Sequence, residues 1–523
     1  MARIERVAFF DGETALSATQ RENLDKSSVD HAAMCPYWEQ VDTIVRGAKA
    51  IRDAGEKYLP KFPNEPDTEY KFRLSLTKFT NIYRDVVEGL ASKPFENEVA
   101  TDETLGTLPE QLTDFIGNVD GANNNLTVFA AATFFNGIND AIDWIFVDYP
   151  KVPVSTAPRS IEEERKSGIR PFWSHVKAIN VLEAQSAVIA GNEELTYMRI
   201  MEPGDPNHIR IMIRDELGAR WELWEQDKSK LPTGVGQPTI WYQIDQGVFT
   251  IGVIPMVAFV TGRRNGRTWF VHPPMRDAAD LQIELYLQES GLKWIKTLTA
   301  YPMLTGNGVK PDKNPDGTTK PVNVGPMRVL YAPTDGNGNV GSWELIEPSA
   351  QSLTFLQSDV EKTINQLREL GRNPLTAQSG NITVITAAVA GKKGNSAVQM
   401  WAFGLEDALD NALILTAMWY GLPRDEMVEK INTKVFTDFD VDGDNGAVAV
   451  TALKDARAAG DLSQRTLWKE LKRRDILSPD FDPDDEEQAI LDEGPTEDEG
   501  EVDPITGLPI KQVVPPVLPN AGA

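Results

Sequence analysis

Arg276-Asp-Ala-Ala-Asp-Leu-Gln-Ile-Glu-Leu-Tyr-Leu-Gln-Glu-Ser-Gly-Leu-Lys-Trp-Ile-Lys-Thr297 anchors the reading of the whole chain. Asp277, Asp280 and Glu284 recur at i, i+3 and i+7 and form one acidic line on a helix. Leu281, Ile283, Leu285, Leu287, Leu292, Trp294 and Ile295 cover much of the remaining circumference. A helix that is apolar on more than one side is buried on more than one side. Working outward, 301–347 holds seven Gly and six Pro, with short β-like runs at Arg328-Val-Leu-Tyr331 and Trp343-Glu-Leu-Ile346. That is too long for a plain loop in a compact domain, so a small subdomain is expected. A second helix follows over Ser352–Leu370, with Leu353, Leu356, Val360, Ile364 and Leu367 as its stripe. A small-residue loop then ends in Gly391-Lys-Lys-Gly394. A third helix runs from Ser396 to Tyr420, with Asn395 or Ser396 as N-cap and Gly421-Leu-Pro423 as the stop. Two helices around a compact insert, then a basic-tipped loop and another helix, is the layout of a part that lines a passage.

Upstream, Trp38–Ala54 reads as a helix. A stronger one covers Asp67–Ser92, where Phe72, Leu76, Phe79, Tyr83, Val86 and Leu90 form one stripe. Asn125–Asp140 is a further helix, and Ala141–Val147 fits either a strand or the end of that helix. From Ala187 the period changes to two. Tyr197–Met201, Ile209–Arg214, Arg220–Trp224 and Thr239–Ile244 predict an antiparallel meander, which Ile254–Val260 is expected to close. Trp221, Trp224, Trp241 and Tyr242 on these runs are expected in a core or interface. Downstream of Pro423, helices are expected over Ala447–Ala459 and, capped by Ser463, over Gln464–Arg474. The fold class is therefore α+β, mainly α.

Composition narrows the function. The chain has 523 residues, 41% apolar and 25% charged, ordinary for a globular protein of several subdomains. No apolar run is long enough for a membrane span, and the first residues lack a signal-peptide core. Cys35 is the lone cysteine and the four histidines lie far apart, so neither a disulfide nor a Cys/His metal cage is expected. Asp438-Phe-Asp-Val-Asp-Gly443 imitates the start of a calcium loop, but Ala449 stands where the bidentate Glu is needed. No catalytic residue, metal or cofactor is assigned. The net charge is −26, and half of it comes from thirteen acids between Asp480 and Asp503, where no Lys or Arg occurs. This acidic, Pro-rich tail, 480–523, is expected to be disordered. So acidic a chain does not grip DNA through bulk counterion release, and any DNA contact must be local.

The series of segments resembles the portal proteins of tailed double-stranded-DNA bacteriophages. The stretches that carry it are Tyr58-Leu-Pro-Lys61 through Tyr70-Lys-Phe-Arg73 and Asn81-Ile-Tyr-Arg84 to Leu90-Ala-Ser-Lys-Pro-Phe95; Asn136-Gly137 leading to Phe146-Val-Asp-Tyr-Pro150; Ile254-Pro-Met256 and Pro273-Pro-Met275; Asn395-Ser-Ala-Val-Gln-Met-Trp401; and Asp455-Ala-Arg-Ala-Ala-Gly460 with the Ser463–Arg474 helix. No single motif is diagnostic, and the resemblance spans 38–487. It implies a portal-like protomer: a wing of helices and β meander (1–270), stem helices (271–297 and 351–371) and a small α/β clip (298–350). A tunnel loop (372–395), a long helix (396–421) and a helical crown (422–479) would follow. It also implies a ring, usually of twelve copies, at one capsid vertex of the virion, assembled in the host cytoplasm. Double-stranded DNA would pass through it. The other expected partners are the terminase large subunit, major capsid protein, scaffolding protein and a head–tail adaptor, with no membrane.

Under that resemblance Asp277, Asp280 and Glu284 line the channel and repel phosphate near the wall. Lys392, Lys393 and Arg372 face DNA from the tunnel loop. The plainer alternatives are a solvated helix face and ordinary surface cations in a turn. The Ala447–Arg474 helix pair admits a base-reading helix-turn-helix, but its cations sit at the C-terminal end of the second helix, which favours a packing role. Two other function classes remain open: an acidic hydrolase or carbohydrate-active enzyme with a site on the β meander, and a monomeric capsid-associated adaptor.

Overall fold

The computed structural model describes residues 20–100, 105–150, 169–216, 218–227, 237–300, 303–308, 313–319, 340–346, 350–372, 384–437, 439, 446–473, 476–477 and 481–493. Two units are distinguished, Met1–Thr437 and Asp438–Ala523. The architecture is mixed, with thirteen α-helices and antiparallel sheets among the described residues.

The first unit begins with strand β1 (Gln20–Glu22) and helices α1 (Val29–Arg46), α2 (Ala48–Ala54), α3 (Asp67–Leu76), α4 (Ile82–Ser92), α5 (Glu110–Ile116) and α6 (Leu126–Asp140). Asn125 caps α6 by accepting from the Val128 amide at 2.9 Å. The helix expected over 67–92 is in fact two, because Thr77 turns to extended backbone. Phe72, read as the start of its apolar stripe, faces solvent.

The run after α6 is a strand, β2 (Ile142–Asp148), buried along almost its whole length. It is the middle of a three-stranded antiparallel sheet, flanked by β3 (Phe172–Lys177) and a late strand described below. The meander then runs through β4 (Val181–Ile189), β5 (Asn192–Met201), β6 (His208–Asp215), β7 (Gly218–Gln226) and β8 (Ile240–Phe249). With β1 on the free side of β8 these make a six-stranded antiparallel sheet. Trp224 and Trp241 are buried in its core with Leu24, Leu182, Ile209 and Ile211, while Tyr197, Met201 and Ile213 pack alongside.

The expected closing strand behaves differently. β9 (Met256–Val260) does not join the meander but pairs with β2, Phe146 opposite Met256 and Ile142 opposite Val260. All five of its residues are apolar, Met256, Val257 and Phe259 buried and Ala258 and Val260 partly so, which suits a layer covered on both faces, whereas the meander needs alternation. Phe259 lies so close to Gly137 of α6 that a Cβ there would meet its ring at 2.3 Å, so this helix and strand pack backbone to ring. A short ribbon, β10 (Arg263–Arg264) with β11 (Val271–His272), leads out of the sheet.

Where α1, α6 and β2 meet, the surroundings of Asp140 disfavour its charged form. Burial pushes its carboxyl up to about 8, with the Asp143 charge adding to the effect, Lys177 opposing it and Asp42 adding further. The raised value means that this group favours the fold below its ordinary 3.8, and that contribution is lost as pH rises from there to about 8. Asp140→Asn, which keeps the shape of the neutral acid, is expected to gain on the order of 1–3 kcal/mol over the parent at pH 8 and little at pH 4. Urea unfolding at the two pH values measures this, and an equal effect at both would contradict it.

Candidate functional site

Three long helices and a ribbon form the region picked out by the sequence: α7 (Arg276–Ala300), β12 (Met303–Asn307), β13 (Ser342–Ile346), α8 (Ala350–Arg372) and α9 (Val384–Trp419). β12 and β13 pair antiparallel from Met303–Ile346 to Asn307–Ser342. The end of α7 and the start of α8 are thereby held together, and the two helices run back from the ribbon side by side. The Gln288 amide on α7 donates to Asp359 of α8 at 3.1 Å. At 1.5 Å per residue the pair is roughly 35 Å long. Trp343–Ile346 therefore has a strand partner, while Arg328–Tyr331 lies outside the described residues.

Polar side chains on α7 fix its position. Gln282 is 0% exposed. Its carbonyl oxygen accepts from the Ile82 and Tyr83 amides at 3.0 and 2.9 Å, and its NH2 donates to the Thr80 carbonyl at 2.9 Å. A side chain two hundred residues away thus satisfies two of the amides left open at the start of α4, which Asn81 also caps through the Arg84 amide. This is why the 67–92 stretch breaks into two helices. Glu289 accepts from the Thr80 amide at 3.0 Å and from its hydroxyl. Ser290 meets the Arg73 guanidinium at 3.2 Å and the Thr77 hydroxyl at 3.1 Å. Arg73 is 2% exposed and forks onto Glu65 at 2.8 and 2.7 Å, with a third bond to the Pro60 carbonyl. The Phe62 ring stacks 4.1 Å from its guanidinium. Bonding to Arg73 holds the Glu65 carboxyl below its ordinary range. Gln282, Glu289, Ser290 and Arg73 were not foreseen as positioning residues; the signal on α7 was the polar Gln282, Glu289 and Ser290 set among its apolar positions.

Asp277, Asp280 and Glu284 share one exposed face of α7, as the spacing predicted. Asp280 accepts from the Gln40 amide of α1 at 3.0 Å, and Glu284 from the Gln288 amide at 3.2 Å. Leu287 continues that face and is 39% exposed, and Phe355 on α8 is 70% exposed. The opposite side of α8 is buried through Val360, Thr363, Leu367 and Leu370.

The basic loop is corrected. α9 begins at Val384, twelve residues before the expected start, so Lys392 and Lys393 belong to a helix and not to a loop tip. Arg372 is the last residue of α8, and 373–383 lie outside the described residues. Each Gly in a helix costs about 1 kcal/mol relative to Ala. Once a helix is nucleated each added residue gains a bond, so the Ala- and Val-rich run before Gly391 carries it through both glycines. Further along, Trp401, Leu405, Ala408, Leu409 and Ala412 are buried as expected.

The region after α9 also divides differently. α10 (Arg424–Lys430) and the following Ile431 and Val435 pack within the first unit, with Glu406 of α9 accepting from the Val435 amide at 2.9 Å. The second unit holds α11 (Gly446–Ala458), α12 (Gln464–Arg473) and α13 (Pro483–Glu493). Gly460 ends α11 at φ +84°, and the Ser463 hydroxyl caps α12 through the Thr466 amide at 3.2 Å. α13 corrects the expectation of a wholly disordered tail. Of the calcium-like run, only Phe439 lies among the described residues.

Among the described residues no group of three or more His, Cys, Asp or Glu is placed to hold a metal ion. No helix among them is long and apolar enough to cross a membrane.

Residues 274–420 match the family model described as a domain of unknown function, DUF4055. No curated protein matches the sequence. Among solved structures, a chain from the neck of an empty GTA particle computed with C6 symmetry is 12% identical, covering 74% of this chain and 88% of its own, at a TM-score of 0.36. A chain from the virion of a native gene transfer agent particle is 10% identical over 79% of this chain and 96% of its own, at 0.34. A chain from the neck of a native GTA particle computed with C12 symmetry is 12% identical over the same shares, at 0.33. At these TM-scores the likenesses carry no argument about this chain's role.

Proposed function

We propose that this chain is the protomer of a portal-type ring, a non-enzymatic conduit at a capsid vertex through which double-stranded DNA enters and leaves. The observation that carries it is the α7–α8 pair. Two helices of 25 and 23 residues lie side by side, tied to the first unit by buried polar anchors and joined at one end by a β ribbon. Their exposed surface combines an acidic line with the large apolar side chains Leu287 and Phe355. An apolar side chain as exposed as Phe355 gains most when a neighbouring copy covers it. An acidic face left open to the bore would let a polyanion slide without sticking. On this reading α7 and α8 are the stem, the ribbon and its flanks are the clip that docks the packaging ATPase, and the helices and sheets before them are the wing. Lys392, Lys393 and Arg372 then meet DNA from helical segments at the end of α8 and the start of α9.

Mass photometry of the purified full chain tests the assembly directly. The expected species has a mass near twelve times 57.9 kDa, with a central hole in negative-stain images. A monomer at every concentration, also in the presence of scaffolding protein, would remove the basis of the proposal.

A further inference from the structure

The second unit contains a charge arrangement that the conduit reading does not use. On α12, Arg465, Lys469 and Lys472 fall at i, i+4 and i+7, one basic stripe roughly 10 Å long. Leu467 is buried on the other side of the helix, and Trp468, also buried, borders the stripe. The chain then returns along the stripe. The Lys472 ammonium donates to the Phe481 carbonyl at 3.2 Å, and the Phe481 ring packs edge-on to Trp468 at 5.7 Å. From there the chain enters α13, and Arg465 pairs with both Asp484 and Glu487, the latter at 3.4 Å. Lys469 makes no ion pair among the described residues.

Two kinds of contact hold this cover, and they differ in strength. Phe481 against Trp468 is an apolar anchor. The ion pairs are exposed, with Arg465 58% and Asp484 75% accessible, and pairs of that kind are individually weak and screened by salt. A helix that is acidic at four successive positions, Asp484 to Glu487, would not be needed to hide an apolar surface. It does supply the negative charge that a phosphate backbone would bring.

We propose that the basic stripe of α12 is a surface for the phosphate backbone of duplex DNA, and that α13 is its intramolecular competitor, detachable at the Arg465 end. With the cover closed, Arg465 is paired, Lys472 is held at the Phe481 carbonyl, and the strongly acidic chain repels DNA. With it open, Arg465, Lys469 and Lys472 are free to replace counterions on neighbouring phosphates. This inference does not depend on ring formation.

The test uses full-length protein and a fluorescent duplex of about 30 base pairs, followed by anisotropy at about 50 mM salt and again at higher salt. Asp484→Asn with Glu487→Gln is expected to tighten binding at least about fivefold and to steepen the salt dependence. Adding Arg465→Ala and Lys469→Ala should abolish that gain. Asp485→Asn with Glu486→Gln changes net charge equally without touching the Arg465 pairs, and should give a clearly smaller gain. An unaltered affinity in the first variant would overturn the proposal. So would an equal gain in the charge-matched control, or a gain that survives loss of the two cations.

Discussion

Leu287→Asp combined with Phe355→Asp is expected to leave the chain folded but unable to form rings. Both side chains are exposed in the protomer, so the substitutions remove little that holds a single copy together, and surface changes of this kind usually stay within about 0.5 kcal/mol. In a ring the same positions would lie against a neighbour. Covering a Phe or Leu stabilises by roughly 1.5–3 kcal/mol per side chain. Placing a carboxylate there instead adds the cost of desolvating a charge with no partner. The penalty is repeated at every interface, so assembly should be lost rather than weakened. The measurement pairs mass photometry with thermal unfolding. Monomers with the parent's melting behaviour are expected. A variant that still forms rings would show that these faces are not between copies, and the stem assignment would have to move elsewhere.

Arg73→Ala should have the largest effect on stability, on the order of 3–5 kcal/mol, because it strands Glu65 as an unpaired buried charge. The change also removes a bond to Ser290 on α7, so α3 and α7 lose a tie at the same point. The pH dependence gives a second readout. Since Arg73 holds the Glu65 carboxyl below its ordinary value, the pair's contribution is present above that value and is lost as pH falls through the depressed one. The variant should therefore be much weaker than the parent at pH 7, with the difference narrowing in acid. Adding Glu65→Leu should recover part of the loss, because the stranded charge is removed. Equal stability of parent and Arg73→Ala at pH 7 would mean that the ion pair does not organise this joint.

Much of the fold was legible locally. The approximate extents of α7 and α8, the Ser463 cap and the strands β5 to β8 follow from periodicity and capping chemistry, which depend on residues within a turn or two. The exposed acidic line of α7 was legible for the same reason. What was not legible depended on partners far away in sequence. An apolar run such as Met256–Val260 does not state which sheet it will enter, and pairing with β2 became visible only in three dimensions.

Sequence alone determined most of the helical and extended segments and which faces carry charge. Tertiary structure decided where helices stop and what covers them. Gln282 ends one predicted helix by capping α4 from α7. Arg465 and Trp468 gather part of the acidic tail into a helix. The physical reason is the same in each case. Local propensities differ by about 1 kcal/mol per residue or less, and a buried hydrogen bond or a ring contact from a distant segment is enough to outweigh them.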